Sequence, residues 1–112
     1  MKKENFLSAT CSVTRALLVI GGKWSLRVLD EIGTGKKRFG ELKRGIPQIS
    51  EKMLIQELKL LTQNKVLERK SYHEVPPRVE YSLTELGLQT LPILEQIKVF
   101  GNNLLEKSAN SM

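Results

Sequence analysis

Apolar residues Val13, Ala16, Leu17 and Ile20 recur at the i, i+3, i+4, i+7 spacing of one helix face, and Gly21-Gly22 ends that segment. Trp24, Val28, Leu29 and Ile32 line a second helix, closed by Gly33-Thr34-Gly35. A short basic strand, Lys36-Lys37-Arg38, leads into a third helix with apolar positions Phe39, Leu42 and Ile46, which Gly45 and Pro47 close. Ser50 then suits the N-cap of a longer helix running to about Asn64, because its hydroxyl can accept from an unpaired amide of the first turn. In that helix Leu54, Leu58 and Leu61 form an inward stripe, while Glu51, Lys52, Ile55, Gln56, Lys59 and Gln63 point elsewhere. One face is core and the other is left for something else.

Beyond residue 65 the period changes to two. Residues 66–72 and 79–83 read as strands, with Val79, Tyr81 and Leu83 alternating against Arg78, Glu80 and Ser82. Between them lies His73-Glu74-Val75-Pro76-Pro77, a stiff loop, since adjacent prolines cannot donate ladder hydrogen bonds. Thr84 can cap a last helix towards Ser108, in which Pro92 introduces a kink or marks the effective start. That helix is richer in apolar surface than one small core requires. Ile93, Ile97, Phe100 and Leu104 make a coiled-coil-like seam, and Leu88, Leu91 and Leu94 lie on a neighbouring stripe. One wide core face would account for both; the better account is a seam buried against a second subunit, which makes the four seam residues the expected dimer interface.

This order of elements spells a winged helix-turn-helix: an α+β, mostly α fold with a two-stranded β-hairpin wing. With 112 residues there is room for one domain, spanning 1–112 with its core at 11–101, and residues 1–10 and 108–112 are expected to be flexible. No apolar run reaches the length of a membrane span, and Met1 to Thr10 lacks the apolar core of a secretory signal. The expected setting is cytoplasmic, without a membrane partner. One cysteine and one histidine, Cys11 and His73, rule out an internal disulfide and a Cys/His zinc site, so no metal or other cofactor is expected. Gly22-Lys23 superficially resembles a phosphate-binding loop, but Leu17 and Trp24 stand where that motif needs glycine and a hydroxyl. An enzyme is not expected.

Charge points elsewhere. The formal net charge is +6, and residues 34–78 hold eleven Lys and Arg against five Asp and Glu while the rest of the chain is balanced at seven of each. An excess confined to the helix-turn-helix and wing is the expected footprint of a double-stranded DNA backbone. The second helix of such a pair enters the major groove with its early residues at base edges, which selects Ser50, Lys52, Met53 and Gln56. Gln56 can pair with adenine, Lys52 can donate to guanine or phosphate, and Met53 offers contact to a thymine methyl. A plainer account has Ser50 only capping, Met53 packed inside and the other two solvated. In the wing, Pro76 and Pro77 would hold Arg78 towards a minor groove or flanking phosphate, the alternative being an ion pair to Glu74 or Glu80. Lys36, Lys37, Arg38, Lys43, Arg44, Arg69 and Lys70 would serve the DNA backbone or form a solvated face. The competing function is a winged helix used for protein contact without sequence-specific DNA binding.

Taken together, Cys11-Ser12-Val13, Ile20-Gly21-Gly22-Lys23-Trp24, Lys37-Arg38-Phe39-Gly40-Glu41-Leu42, the run from Ile46 through Ser50 to Leu54, and the run from Glu74 through Pro76-Pro77-Arg78 to Gly87 resemble the HxlR-type regulators, a branch close to the MarR group. The resemblance covers residues 11–101. It implies a cytoplasmic homodimer joined through N- and C-terminal dimerisation helices, binding an inverted-repeat operator and controlling its own or a neighbouring gene. It leaves room for a small-molecule or oxidant effector without identifying one. Cys11 falls where some members carry a redox-sensing cysteine. A helix N-terminus stabilises thiolate and Arg15 would add positive charge, so a lowered pKa is expected; the alternative is a small buried hydrophobe.

Overall fold

The computed structural model describes residues 6–110. After a 3-10 turn at Phe6–Ser8 come α1 (Ser12–Ile20), α2 (Ser25–Ile32), β1 (Lys36–Lys37), α3 (Phe39–Gly45), α4 (Glu51–Gln63), β2 (Leu67–Tyr72), β3 (Arg78–Leu83), α5 (Glu85–Leu88) and α6 (Thr90–Asn110). Of the ends expected to be flexible, residues 6–8 form the 3-10 turn and 108–110 belong to α6, while residues 1–5 and 111–112 lie outside the described residues.

The core forms where the apolar periodicity requires it. Val28, Leu29 and Ile32 of α2, Leu42 of α3, and Leu54, Leu58 and Leu61 of α4 are buried, joined by Ile46 and Ile49 from the α3–α4 turn and by Val66 and Leu67. Gly33, at φ 58, ends α2 in a left-handed turn that a side chain would resist. The inward leucine stripe of α4 matches the sequence reading, and Ser50 caps the helix as expected, its Oγ accepting the Met53 amide at 3.1 Å.

The sheet departs from a two-stranded hairpin. β1 adds a third antiparallel strand, giving the order β1-β3-β2, with Lys36 opposite Ser82 and Lys37 opposite Tyr81. This placement makes β3 the central strand. All six of its residues are consequently half-buried, because outward-facing Ser82, Glu80 and Arg78 lean on the cross-strand neighbours Glu68, Lys70 and Tyr72. Its polar alternation in sequence therefore does not appear as alternating exposure.

The single last helix expected after Thr84 is two helices. Thr84 Oγ1 accepts the Gly87 amide at 3.0 Å and donates to the Lys65 carbonyl at 2.6 Å, clamping α5 onto the start of β2. Gly87 packs so closely on the Val66 carbonyl that a Cβ would collide with it. Thr90 Oγ1 donates to the Gly87 carbonyl at 2.6 Å, and the chain restarts as α6 with Pro92 in its first turn, where the missing amide breaks no helical hydrogen bond. The break also splits the expected Leu88, Leu91, Leu94 stripe. Leu94 is buried and Leu91 half-buried, but Leu88 belongs to α5 and is exposed.

Candidate nucleic-acid interface

α4 presents its polar side outwards because its leucines are spent on the core. Lys52, Gln56, Lys59 and Gln63 are exposed along one face, with Met53 on one flank and Ile55 on the other. Met53 is 37% exposed rather than packed inside, so it stands at the surface beside Lys52 and Gln56. The Ser50 hydroxyl spends a lone pair on the helix cap and keeps its proton for an external acceptor. Ser50, Lys52, Met53 and Gln56 are thus brought together at the first turns of α4. Ser25 Oγ, donating to Glu57 Oε2 at 3.2 Å, ties the buried start of α2 to the middle of α4.

The cations divide into groups that sequence alone does not separate. Among the described residues no carboxylate pairs with Lys36, Lys37, Arg38, Arg44, Lys52, Lys59 or Arg69. The backbone amide of Arg38 donates to Glu41 Oε1 at 2.9 Å, closing the start of α3. Lys43 is committed to the turn, donating to the Pro47 carbonyl at 3.2 Å. Arg69 and Lys70 lie on opposite faces of the sheet: Arg69 sits opposite Tyr81, and Lys70 opposite Glu80 with its Nζ 5.0 Å from the Tyr72 ring centroid.

Arg78 takes the alternative arrangement weighed for it. Its Nη2 pairs with Glu74 Oε1 at 3.2 Å, and its guanidinium stacks on Tyr72, 4.1 Å from the ring centroid. Nε is buried without a partner, so the fork is not fully satisfied. Pro76 and Pro77 are exposed at the hairpin tip, after a cis Val75-Pro76 peptide. The sequence reading missed Arg27. It lies against Trp24, 5.2 Å from the ring centroid, and donates to Gln48 Oε1 at 3.3 Å, bracing the turn that aims α4. Its i, i+3 spacing from Trp24 was the available signal.

A second surface lies across α1 and α6. Val13 and Leu17 are mostly exposed, and with Ile93 and Ile97 they line one groove. Phe100, 64% exposed, and Leu104 extend the same stripe along α6. Lys98 links α6 to α2 through Asp30 at 3.0 Å, also meeting Glu95 at 3.2 Å, which raises its pKa.

Cys11 is exposed at the N-cap of α1 and not buried as a small hydrophobe. Its neutral thiol makes no capping hydrogen bond, but the Thr14 amide and hydroxyl and the Val13 amide favour the thiolate and lower the pKa from its ordinary value. Arg15 is not among the causes. Its Nη2 instead donates to the Ala9 carbonyl at 2.8 Å. Among the described residues no cluster of acidic, histidine or cysteine side chains could hold a metal, and no helix is long and apolar enough to cross a membrane.

A core of α2, α3 and α4, the last of them turning a polar face outwards, with a small sheet carrying an exposed hairpin tip, defines a winged helix-turn-helix protein of the transcription-regulator class. The chain belongs to the HxlR-like helix-turn-helix family, whose model matches residues 19–109. It is 49% identical over 89 residues to the HTH-type transcriptional regulator YkvN of Bacillus subtilis (strain 168), itself uncharacterized, covering 80% of this chain and 75% of YkvN. A crystal structure described as a MarR-family transcriptional regulator of Porphyromonas gingivalis W83 superposes with TM-score 0.80 at 48% identity, over 90% of this chain and 96% of that one. The redox regulator HypR in its reduced form superposes with TM-score 0.80 at 42% identity, over 87% and 99% of the two chains. These relatives are regulators rather than enzymes.

Proposed function

We propose that this protein is a cytoplasmic transcription regulator that binds an inverted-repeat operator as a homodimer. α4 enters the major groove, where Ser50, Lys52, Met53 and Gln56 meet base edges. Pro76, Pro77 and Arg78 form the wing contact, and Lys36, Lys37, Arg38, Lys43, Arg44, Arg69 and Lys70 hold the sugar-phosphate backbone. The observation that carries this reading is the outward face of α4, polar and exposed from its first turn, together with Lys36, Lys37, Arg38, Arg44, Lys52 and Arg69, which have no carboxylate partner among the described residues. Arg78 would exchange Glu74 for a phosphate, gaining a partner for its unsatisfied Nε. Dimerisation buries Ile93, Ile97, Phe100 and Leu104 with Val13 and Leu17, apolar side chains that a lone subunit leaves in water.

Titration of labelled duplex against salt tests the DNA reading. A protein neutralising about six to ten phosphates loses roughly three to five decades of affinity between 50 and 200 mM salt. Selection from random duplex should return inverted repeats with half-sites about 34–36 Å apart, or a multiple. A flat salt profile with no enriched sequence would instead favour a protein-contact module.

The input we propose is an oxidant acting at Cys11, supported by its exposure, its lowered pKa and the likeness to HypR. A peroxide-class oxidant converts the thiolate to a sulfenic acid, and a thiol of a second molecule displaces water to form a disulfide. This chain has no second cysteine to resolve the sulfenic acid internally. A non-reducing gel should therefore show a dimer or adduct after mild oxidation; full DNA binding with neither species would end the redox reading.

A further inference from the structure

We infer that Ser25 and Glu57 are positioning residues: the hydrogen bond between them sets the rotation of α4 about its own axis, and with it the selectivity of Gln56 for a base. The inference rests on the operator reading above and adds the contact that aims the reading helix.

Ser25 opens α2 and is only 3% exposed. Its hydroxyl donates to Glu57 Oε2 at 3.2 Å; without that acceptor a buried donor would be left unpaired. Glu57 is half-buried and has no ion-pair partner among the described residues. Its carboxylate stands at the N-terminus of α2, where the helix dipole favours negative charge. The joint between α1 and α2 leaves room for the pair. A Cβ on Gly22 would lie 2.9 Å from Ser25 Oγ and 3.4 Å from Glu57 Oε1, so glycine keeps a side chain out of the space they occupy.

The other attachments of α4 leave its rotation loosely fixed. Leu54, Leu58 and Leu61 decide which side faces the core, but apolar contact is non-directional. On the Glu57 side, Leu17 and Leu18 of α1 and Leu60 of α4 border a cleft of about 850 Å³, so packing does not hold the helix there. A hydrogen bond does, because it weakens steeply outside a narrow range of length and angle. Gln56 and Glu57 are successive residues, about 100° apart around the helix, so turning Glu57 to the body leaves Gln56 facing outwards. Side-chain tips lie about 5 to 6 Å from a helix axis, and a rotation of about 10° moves them by about 1 Å. That exceeds the roughly 0.5 Å range of good N–H···O lengths. A bidentate pair with adenine would not survive it, whereas a lysine reaching a phosphate would.

The test reads selectivity as the ratio of affinities for the duplex enriched by selection and for a scrambled duplex of equal length, with circular dichroism verifying that each protein is folded. Ser25→Ala and Glu57→Leu should each lower the ratio about tenfold, as expected for losing one bidentate base contact. The double variant should be no worse than either single one, since both break the same bond. Glu57→Gln keeps an acceptor oxygen and should retain the wild-type ratio, even as removing a negative charge tightens binding to both duplexes. In selection from random duplex, Ser25→Ala should lose preference at the operator position that Gln56→Ala affects, although Gln56 is intact. If the bond merely stabilises the fold, Ser25→Ala will weaken both duplexes equally. That outcome, or a Glu57→Gln protein as unselective as Glu57→Leu, overturns the inference and leaves the operator reading standing. A wild-type protein that prefers no duplex over its scrambled counterpart removes both.

Discussion

The helix-turn-helix half and the α1/α6 pair treat apolar surface in opposite ways. α2, α3, α4 and the adjoining strand start bury most of the large aliphatic side chains they carry, with Val28, Leu29, Leu42 and Leu54 fully enclosed and Ile55 left exposed on α4. α1 buries Ile20 and α6 buries Leu94, while Val13, Leu17, Ile97 and Phe100 stay largely in water. Both halves are periodic in sequence, so periodicity alone does not decide burial. It decides which side of a helix is apolar; whether that side finds its partner within the same chain depends on topology. One half is complete in a single subunit, and the other leaves open the apolar surface that we propose a second copy covers.

The sharpest way to break that comparison is one substitution on each side. Leu58→Ala empties a site that is 2% exposed and should cost about 2 to 5 kcal/mol, a large share of a small domain's stability. Urea unfolding read by circular dichroism measures it. Ile97→Asp removes nothing from the core. It should leave the helical spectrum intact, convert the protein to a monomer in sedimentation, and reduce operator affinity about 10²- to 10⁴-fold through lost bivalency. A monomeric wild type, or an Ile97→Asp protein that still dimerises, would remove the distinction between the halves.

The same contrast explains what the sequence made legible. The α4 stripe, its Ser50 cap and the proline-bearing loop were readable because each depends on neighbours a few residues apart. The short basic strand was readable too, but its place in the sheet was not: Lys36-Lys37 joins through backbone pairing with Tyr81 and Ser82, far along the chain. The division of α5 from α6 depends on Gly87 meeting the Val66 carbonyl, another distant contact. In the candidate site, the exposure of Lys52 and Gln56 followed from helical phase, whereas the fates of Arg78, Lys43 and Arg15 were set by acceptors whose positions only the fold defines.

Within the reading half, base contacts and backbone contacts should separate. Gln56→Ala should remove base preference at one operator position at a cost of about 1 to 3 kcal/mol, the value of one bidentate pair. Lys37→Ala should weaken every sequence alike and lower the salt slope by about one. Site selection with each variant checks both, and an unchanged preference profile for Gln56→Ala would mean that α4 meets the groove in a different rotational register.

The smallest effect lies at the joint between α4 and the sheet. Lys65 has φ 67, a left-handed conformation that its Cβ disfavours, and its exposed side chain has no partner that would compensate among the described residues. Its carbonyl must stay where it is, since it accepts the Thr84 hydroxyl that clamps α5. Lys65→Gly should keep that geometry, relieve the steric cost, and stabilise the fold by about 0.5 to 1 kcal/mol after glycine's larger unfolded-state entropy is counted. For a domain of this size that is a rise of roughly 2 to 8 °C in Tm. Lys65→Ala keeps the Cβ and should give no such rise. Because Lys65 is not one of the proposed interface residues, the dimer dissociation constant should be the same in both variants; a change in it would show that the two halves are coupled through this turn and do not fold and pair as separate surfaces.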